Sequence, residues 1–370
     1  MRFVCLLLLL LIGCHKKETP QPPEPHNTDT DNIYGADVDP ADSYYVKRNQ
    51  IFYKGNILQL KGINWFGLEN YDTRLHGLWT GRSIESFVDQ IKELGFNAIR
   101  VPVVHETFLP LPGSDGFATP LAQLEHLINY TRQKGMFVLL DLHKCSKEDT
   151  AVNKPGPGRG VCSTYTEAKW IDDLQILASL ALKNSNVLGI DLFNEPYGFS
   201  WSDWLTLVEH GAEAVLRINP KILIFVEGVH SESPNGGFNT FWGENLYEAD
   251  VKIPAIPRSR LVYSPHIYGP SVYNQEYFDA PDFPKNMPAI WDAHFGKLEE
   301  DFSLVVGEFG GRYVGKDKVL LDALVDYYLS KGIKNTFFWS LNPNSGDTGG
   351  LLKEDWRTVD DDKLALIQRL

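Results

Sequence analysis

The sequence predicts a single (β/α)8 barrel that opens with a short N-terminal β-hairpin and is preceded by a signal peptide and a flexible linker. Three observations predict it. From residue 44 onward, eight short apolar stretches alternate with amphipathic helical periods or long connections, the count of a TIM barrel. Polar and ionisable residues gather at the C-terminal ends of those stretches and seldom within them. The alternative, an open doubly wound sheet, would want a glycine-rich first turn, and the G-x-G-x-x-G signature is absent.

Taken in order, the first segment is "MRFVCLLLLLLIGCHKK", with one basic residue and then an apolar run too short to span a bilayer comfortably. Residues 1–13 read as a signal peptide. Gly13-Cys14 resembles a bacterial lipobox, which would make Cys14 the lipidated first residue of the mature chain; several acyl chains on one cysteine anchor stably where a single chain does not. This places the protein outside the cytoplasm, lipid-anchored to the cell envelope or surface or released to the exterior. Residues 14–43 form the linker, Pro-rich and acidic with almost nothing apolar. Its "DTDNIYGADVD" resembles a calcium loop only faintly, because Ile33 and Tyr34 stand where a ligand and a glycine belong.

Residues 44–370 are the folded domain. "YYVKRNQIFYKGNILQL" predicts two or three short strands turned at Arg48-Asn49 and Gly55-Asn56. The barrel strands follow at 60–67, 97–104, 136–143, 187–196, 222–229, 261–268, 303–311 and 335–342. Between them, "SIESFVDQIKELG" has apolar residues at 84, 87, 88, 91 and 94, and "LAQLEHLINYTRQKG" and "KVLLDALVDYYLSKG" repeat the period, each closed by Lys-Gly. Cys5 leaves with the signal, so Cys145 and Cys162 remain as a pair in an oxidising compartment. A disulfide between them would close a loop of about 17 residues, worth about 3 kcal/mol if unstrained. His143-Lys144-Cys145 also suggests metal ligands, but no second His/Cys cluster of zinc spacing accompanies it, and no metal is expected. "GPGRG" within the same loop lacks the Lys-Ser/Thr ending of a phosphate cradle.

A net charge of −13, with no basic stripe, argues against nucleic acid. Nine Trp, 16 Tyr and 20 Phe supply the flat faces that sugar clefts use. Read in order, the strand ends give Asn64-Trp65, Arg100, His143, Asn194-Glu195, Glu227, His266 with Tyr268, Glu308 and Trp339. Two glutamates from the fourth and seventh strands face each other, which is what glycosidic cleavage requires: one protonates the leaving oxygen, the other traps the oxocarbenium ion. Glu195 is the expected acid/base and Glu308 the nucleophile. Asn194 would bond the sugar 2-hydroxyl, Arg100 would lower the pKa of the nucleophile, and Tyr268 would donate to the same carboxylate. His143 and His266 would position substrate or tune the acid, or be satisfied groups behind the site.

The segments "GINWFGLE", "NAIRVPV", "DLH", "DLFNEP", "IFVEGV", "YSPHIYGPSVY", "VVGEFGG" and "FFWSLNPNSGDTGGLLKEDWRTVD" together resemble glycoside hydrolase family five, cellulase family A, in its bacterial endo-β-1,4-glucanase branch. By that resemblance Glu195 matches the acid/base and Glu308 the nucleophile. Arg100, His143, Asn194, His266, Tyr268 and Trp339 match the other active-site positions, and Trp65 and Trp242 fall where the branch places aromatic sugar platforms. The resemblance implies retaining hydrolysis of internal β-1,4-glucosidic bonds without metal or organic cofactor; with no carbohydrate-binding module visible in the sequence, soluble or amorphous glucan is the expected substrate, and a monomer is expected. Related β-glycanases act on mannan, xyloglucan or mixed-linkage glucan, and a non-catalytic glycan-binding lipoprotein is the rival from another class. The loop from Lys144 to Cys162 departs from the family pattern beside the cleft and bears on fine specificity.

Overall fold

The computed structural model describes residues 44–148, 165–230 and 240–370. Residues 1–43, with Cys14, lie outside them, as does Cys162. The described chain opens with β1 (Tyr44–Lys47), β2 (Gln50–Tyr53) and β3 (Asn56–Ile57), an antiparallel three-stranded sheet. Its first turn falls at Arg48-Asn49 as expected. The second falls at Lys54-Gly55, one residue earlier than expected, because Tyr53 pairs with Asn56. Both turn residues have positive φ, 50° and 75°, the geometry whose twist suits a two-residue hairpin.

Eight barrel strands follow. β4 (Lys61–Asn64), β5 (Ala98–Val104), β6 (Phe137–Lys144), β7 (Val187–Asp191) and β8 (Leu223–Val226) pair in parallel in chain order. The sixth strand is split into β9 (Leu261–Tyr263) and β10 (His266–Tyr268) around Pro265, which has no N–H to donate. The seventh is split into β11 (Ser303–Leu304) and β12 (Val306–Gly310). β9 pairs with β8 and β11, β10 with β12, and β13 (Thr336–Phe338) with both β12 and β4, which closes the ring.

Helices α1 (Ile84–Glu93), α2 (Pro120–Gln133), α3 (Glu167–Lys183) and α4 (Trp201–Ile218) follow the first four strands. α5 (Met287–His294), α6 (Gly315–Lys331) and α7 (Asp361–Ile367) follow the last three. The β8–β9 connection carries no α-helix among its described residues. Ser83, Thr119, Thr166, Ser200 and Asp360 each accept a backbone N–H from the first turn of their helix, which fixes where five of the helices begin.

Alternation along the strands separates two cores. Leu139, Leu188, Leu223, Phe225, Val262, Val305 and Phe337 fill the barrel interior, and Tyr44, Val46 and Ile51 of the hairpin floor it. The hairpin sits at the N-terminal ends of the strands: Val46 N donates to the Ser259 carbonyl at 2.9 Å, and the Tyr44 hydroxyl to the Ser185 carbonyl at 2.6 Å. The C-terminal ends stay open.

The larger core lies between the strands and the helices. There Trp170 of α3 donates to the Leu192 carbonyl at 2.9 Å and lays its ring against Gly211 of α4. A Cβ at Gly211 would stand 2.7 Å from that ring. Gly211→Ala should therefore lower the unfolding free energy by about 1–3 kcal/mol, the usual cost of overpacking, although alanine is the better helix former by about 1 kcal/mol. Urea titration followed by far-UV circular dichroism reads the sign, and a stabilised variant would refute this packing account.

Candidate active site

The open end of the barrel is a cleft of about 650 Å³. Three one-residue bulges shape its base. The extra residues fall at Leu188 of β7, at His143 of β6 and at Gly307-Glu308 of β12, where pairing registers shift by one. A bulge re-aims the side chains beyond it. Leu188 and Asp191 accordingly both face the interior although three residues apart, which explains an aspartate inside so apolar a strand.

Arg100, fully buried on β5, is the hub. Its Nη1 donates to Glu308 Oε1 at 2.6 Å and to Asn64 Oδ1 at 3.1 Å. Its Nη2 lies 3.0–3.2 Å from oxygens of Asn194, Asp191, Asp141 and Glu227. Burial alone would lower the Arg100 pKa; the four carboxylates outweigh burial and raise it well above its usual value. Asp141 and Asp191, desolvated around a single cation, are pushed up to about 7 despite that cation.

Glu195 follows β7 in a turn, at φ 48°, a left-handed conformation that costs a non-glycine residue about 1–3 kcal/mol. Its N–H donates to Glu227 Oε2 at 2.8 Å, and its Oε1 lies 3.0 Å from His266 Nδ1. Glu308 accepts from Arg100 and, on its other oxygen, from the Tyr268 hydroxyl. Oxygens of Glu195 and Glu308 lie within 4.8 Å of each other and of a His266 ring nitrogen. Burial raises both carboxyls, but unequally. At Glu308, the Arg100 charge and the Tyr268 hydrogen bond pull the value back down. At Glu195 the Glu308 charge adds to burial and raises the value well above the usual range. Arg100 thus opposes the rise at Glu308, as its sequence position suggested, without overcoming desolvation. Burial lowers His143 to about 4 and His266 well below its usual value, so both rings are neutral near pH 7.

Nine of the residues singled out at the strand ends, Asn64, Arg100, His143, Asn194, Glu195, Glu227, His266, Tyr268 and Glu308, meet in this one cluster. His143 Nδ1 is 2.6 Å from Asp141 Oδ2, and its ring lies parallel to Trp339 at 5.8 Å. Trp339 also stacks on Phe66 at 5.4 Å and forms one wall; half-buried Trp242 lies across the mouth, edge-on to Tyr197 at 5.4 Å. Trp65 is not there. It is fully buried, its indole N–H donates to the His76 carbonyl at 2.9 Å, and its ring packs on Phe87 of α1. Alternation from β4 turns Phe66 toward the cleft wall and Trp65 into the outer core, so the platform expected at Trp65 is corrected. Cys145 is buried at the end of β6, and its expected partner Cys162 lies outside the described residues. Sequence reasoning noted Glu227 without a role and passed over Asp141; inward alternation above Phe225 and Leu139 was the available signal.

Residues 55–345 match the family profile described as cellulase, glycosyl hydrolase family 5. The chain belongs to this family. It is a glycoside hydrolase, and its relatives agree. It is 40% identical over 356 residues to the major extracellular endoglucanase of Xanthomonas campestris pv. campestris, spanning 90% of this chain and 72% of that one. It is 37% identical to an endoglucanase of Paenibacillus polymyxa, over 88% of this chain and 86% of the other. Among solved structures, the catalytic domain of the Xanthomonas enzyme superposes with TM-score 0.82 at 39% identity, covering 88% of this chain and 99% of that one. The endocellulase of Pyrococcus horikoshii, solved in complex with cellotetraose, superposes with TM-score 0.81 at 34% identity, covering 90% and 99%.

Two outcomes are expected of this family 5 site. Removing the Glu308 charge removes a repulsion that disfavours the ionised acid, so Glu308→Gln should lower the Glu195 pKa; carbon-13 NMR of labelled glutamate carboxyls reads it, and an unchanged Glu195 titration would contradict the coupling. Trp65→Phe should cost about 1–3 kcal/mol of stability through a cavity and an unpaired carbonyl, yet leave KM for cello-oligosaccharides within about twofold. A large KM rise would return Trp65 to the cleft.

Proposed function

We propose that this chain is a retaining endo-β-1,4-glucanase acting on soluble or amorphous glucan. The observation that carries the reading is a pair of carboxyls from opposite sides of the mouth, with oxygens within 4.8 Å and unequal hold on their protons. So close a pair leaves no room for the intervening water of an inverting site. Pairs of acids pushed apart in pKa divide the work of acid and base.

Glu308, charge-stabilised by Arg100 and Tyr268, attacks the anomeric carbon while Glu195 gives its proton to the departing glycosidic oxygen. The bond to the leaving sugar breaks as the glycosyl–Glu308 ester forms. Glu195, now ionised, takes a proton from water; the hydroxyl attacks the same carbon from the other face and frees Glu308. Two inversions give retention. Asn194 Oδ1 is held by Arg100 Nη2, which leaves its amide N–H2 for the sugar 2-hydroxyl. Neutral His143 and Trp339 form the wall on which the reacting sugar rests, and Trp242 offers a face to the sugar beyond it. Residues 1–14 support secretion with a lipid on Cys14, and the two remaining cysteines a Cys145–Cys162 disulfide, in a monomer working outside the cytoplasm.

The test is hydrolysis of carboxymethyl cellulose, barley β-glucan, mannan and xyloglucan by the domain from Tyr44 onward, with viscosity and reducing ends followed together. A fast viscosity drop on the β-1,4-glucans is expected, and it should fall by at least about 100-fold in Glu195→Gln and Glu308→Gln, the lower end of what a positioned acid contributes. Proton NMR should show the β-anomer as first product. Cleavage of mannan or xyloglucan alone would change the substrate. No cleavage by folded wild type would favour a glycan-binding role.

A further inference from the structure

The double displacement gives no task to Glu227, a buried acid at the site. Glu227 follows β8; Leu223 and Phe225 face the barrel interior, and alternation carries Glu227 inward one layer nearer the cleft. Its Oε2 accepts the Glu195 N–H at 2.8 Å. Its Oε1 accepts from Arg100 Nη2 at 3.2 Å and lies 3.2 Å from His266 Nε2. Gly243, at φ 76°, makes room for it: a Cβ there would stand 2.6 Å from Oε2. Glu195 itself adopts a left-handed backbone, a conformation that persists only where neighbours over-determine it. One side chain therefore meets the turn that carries Glu195, the arginine that holds Glu308, and the imidazole that touches the Glu195 carboxyl.

We infer that Glu227 is a positioning residue for the acid step, holding Glu195 in its left-handed turn beside His266 so that the proton faces the leaving oxygen. The inference rests on the reading of Glu195 as the acid. The charged and titratable groups that face Glu227 are Arg100, Asp141, Asp191, Glu195 and His266; burial, followed by the Asp191 charge, raises its carboxyl well above the usual range. A purely structural Glu227 would slow every substrate alike, whereas one acting through Glu195 slows only those that need a proton.

Two substrates separate these. The leaving group of cellopentaose is a poor one that needs protonation, and that of 2,4-dinitrophenyl β-cellobioside is an acidic phenol that does not; kcat/KM reports the first covalent step for both. Glu227→Ala is expected to lose about 100-fold on cellopentaose and under about 5-fold on the aryl cellobioside. Glu227→Gln keeps an oxygen for the Glu195 N–H but turns an N–H2 toward Arg100, so it should lose about 10-fold and under about 2-fold. Equal losses on the two substrates, or full activity of Glu227→Ala on cellopentaose, overturn the inference. Should Glu227→Ala lack a cooperative unfolding transition, the ratio of the two losses in Glu227→Gln decides, and a ratio of one overturns it. Wild type inactive on both substrates would strike the hydrolase reading and the inference with it. Active wild type with equal losses would remove the positioning role alone.

Discussion

A single buried guanidinium organises the catalytic end of this barrel. Arg100 on β5 reaches Asn64 on β4, Asp141 on β6, Asp191 on β7, Glu227 beyond β8 and Glu308 on β12. Desolvating an ion costs several kcal/mol unless partners surround it, and here both amino groups of the fork are filled with oxygens. Six strands are thereby held at one height around one charge. Both glutamates depend on it, Glu308 by direct contact and Glu195 through Asn194 and Glu227.

The same arrangement creates an imbalance. Four carboxylates around one cation cannot all ionise cheaply in a buried site, so protons are retained where the cation is least able to help. Glu308 has Arg100 and the Tyr268 hydroxyl; Glu195 has a neutral imidazole and the Glu308 charge in front of it. Two chemically identical side chains thus acquire opposite tasks from their surroundings. The hydrogen-bond donors sit on the side of the cleft where negative charge must be kept, and the neutral ring on the side where a proton must be held.

Much of this was legible in the sequence because periodicity and strand ends are one-dimensional features. Strand order, the capped helices and the convergence of Arg100, Asn194, Glu195, His266 and Glu308 follow from apolar stretches that end in polar residues. What was not legible depends on register. In Trp65-Phe66, two adjacent aromatics must face opposite ways, and only the pairing of β4 decides that Phe66 meets Trp339 while Trp65 meets Phe87. The bulges at Leu188, His143 and Glu308 each reverse the inside–outside parity of a strand without any glycine or proline pattern that announces it uniquely. Glu227 was visible as a strand-end acid, but its hold on a backbone N–H at the end of the preceding strand, 32 residues earlier, is a tertiary fact.

The hairpin that floors the barrel also gives the molecule a direction. Tyr44 enters the fold at the closed pole, bonded to Ser185, while the cleft opens at the other. Any surface that holds the protein by the segment before Tyr44 therefore meets its blind end, and the mouth looks away from the point of attachment. A long polymer lying across the opening then passes on the side of the barrel opposite Tyr44.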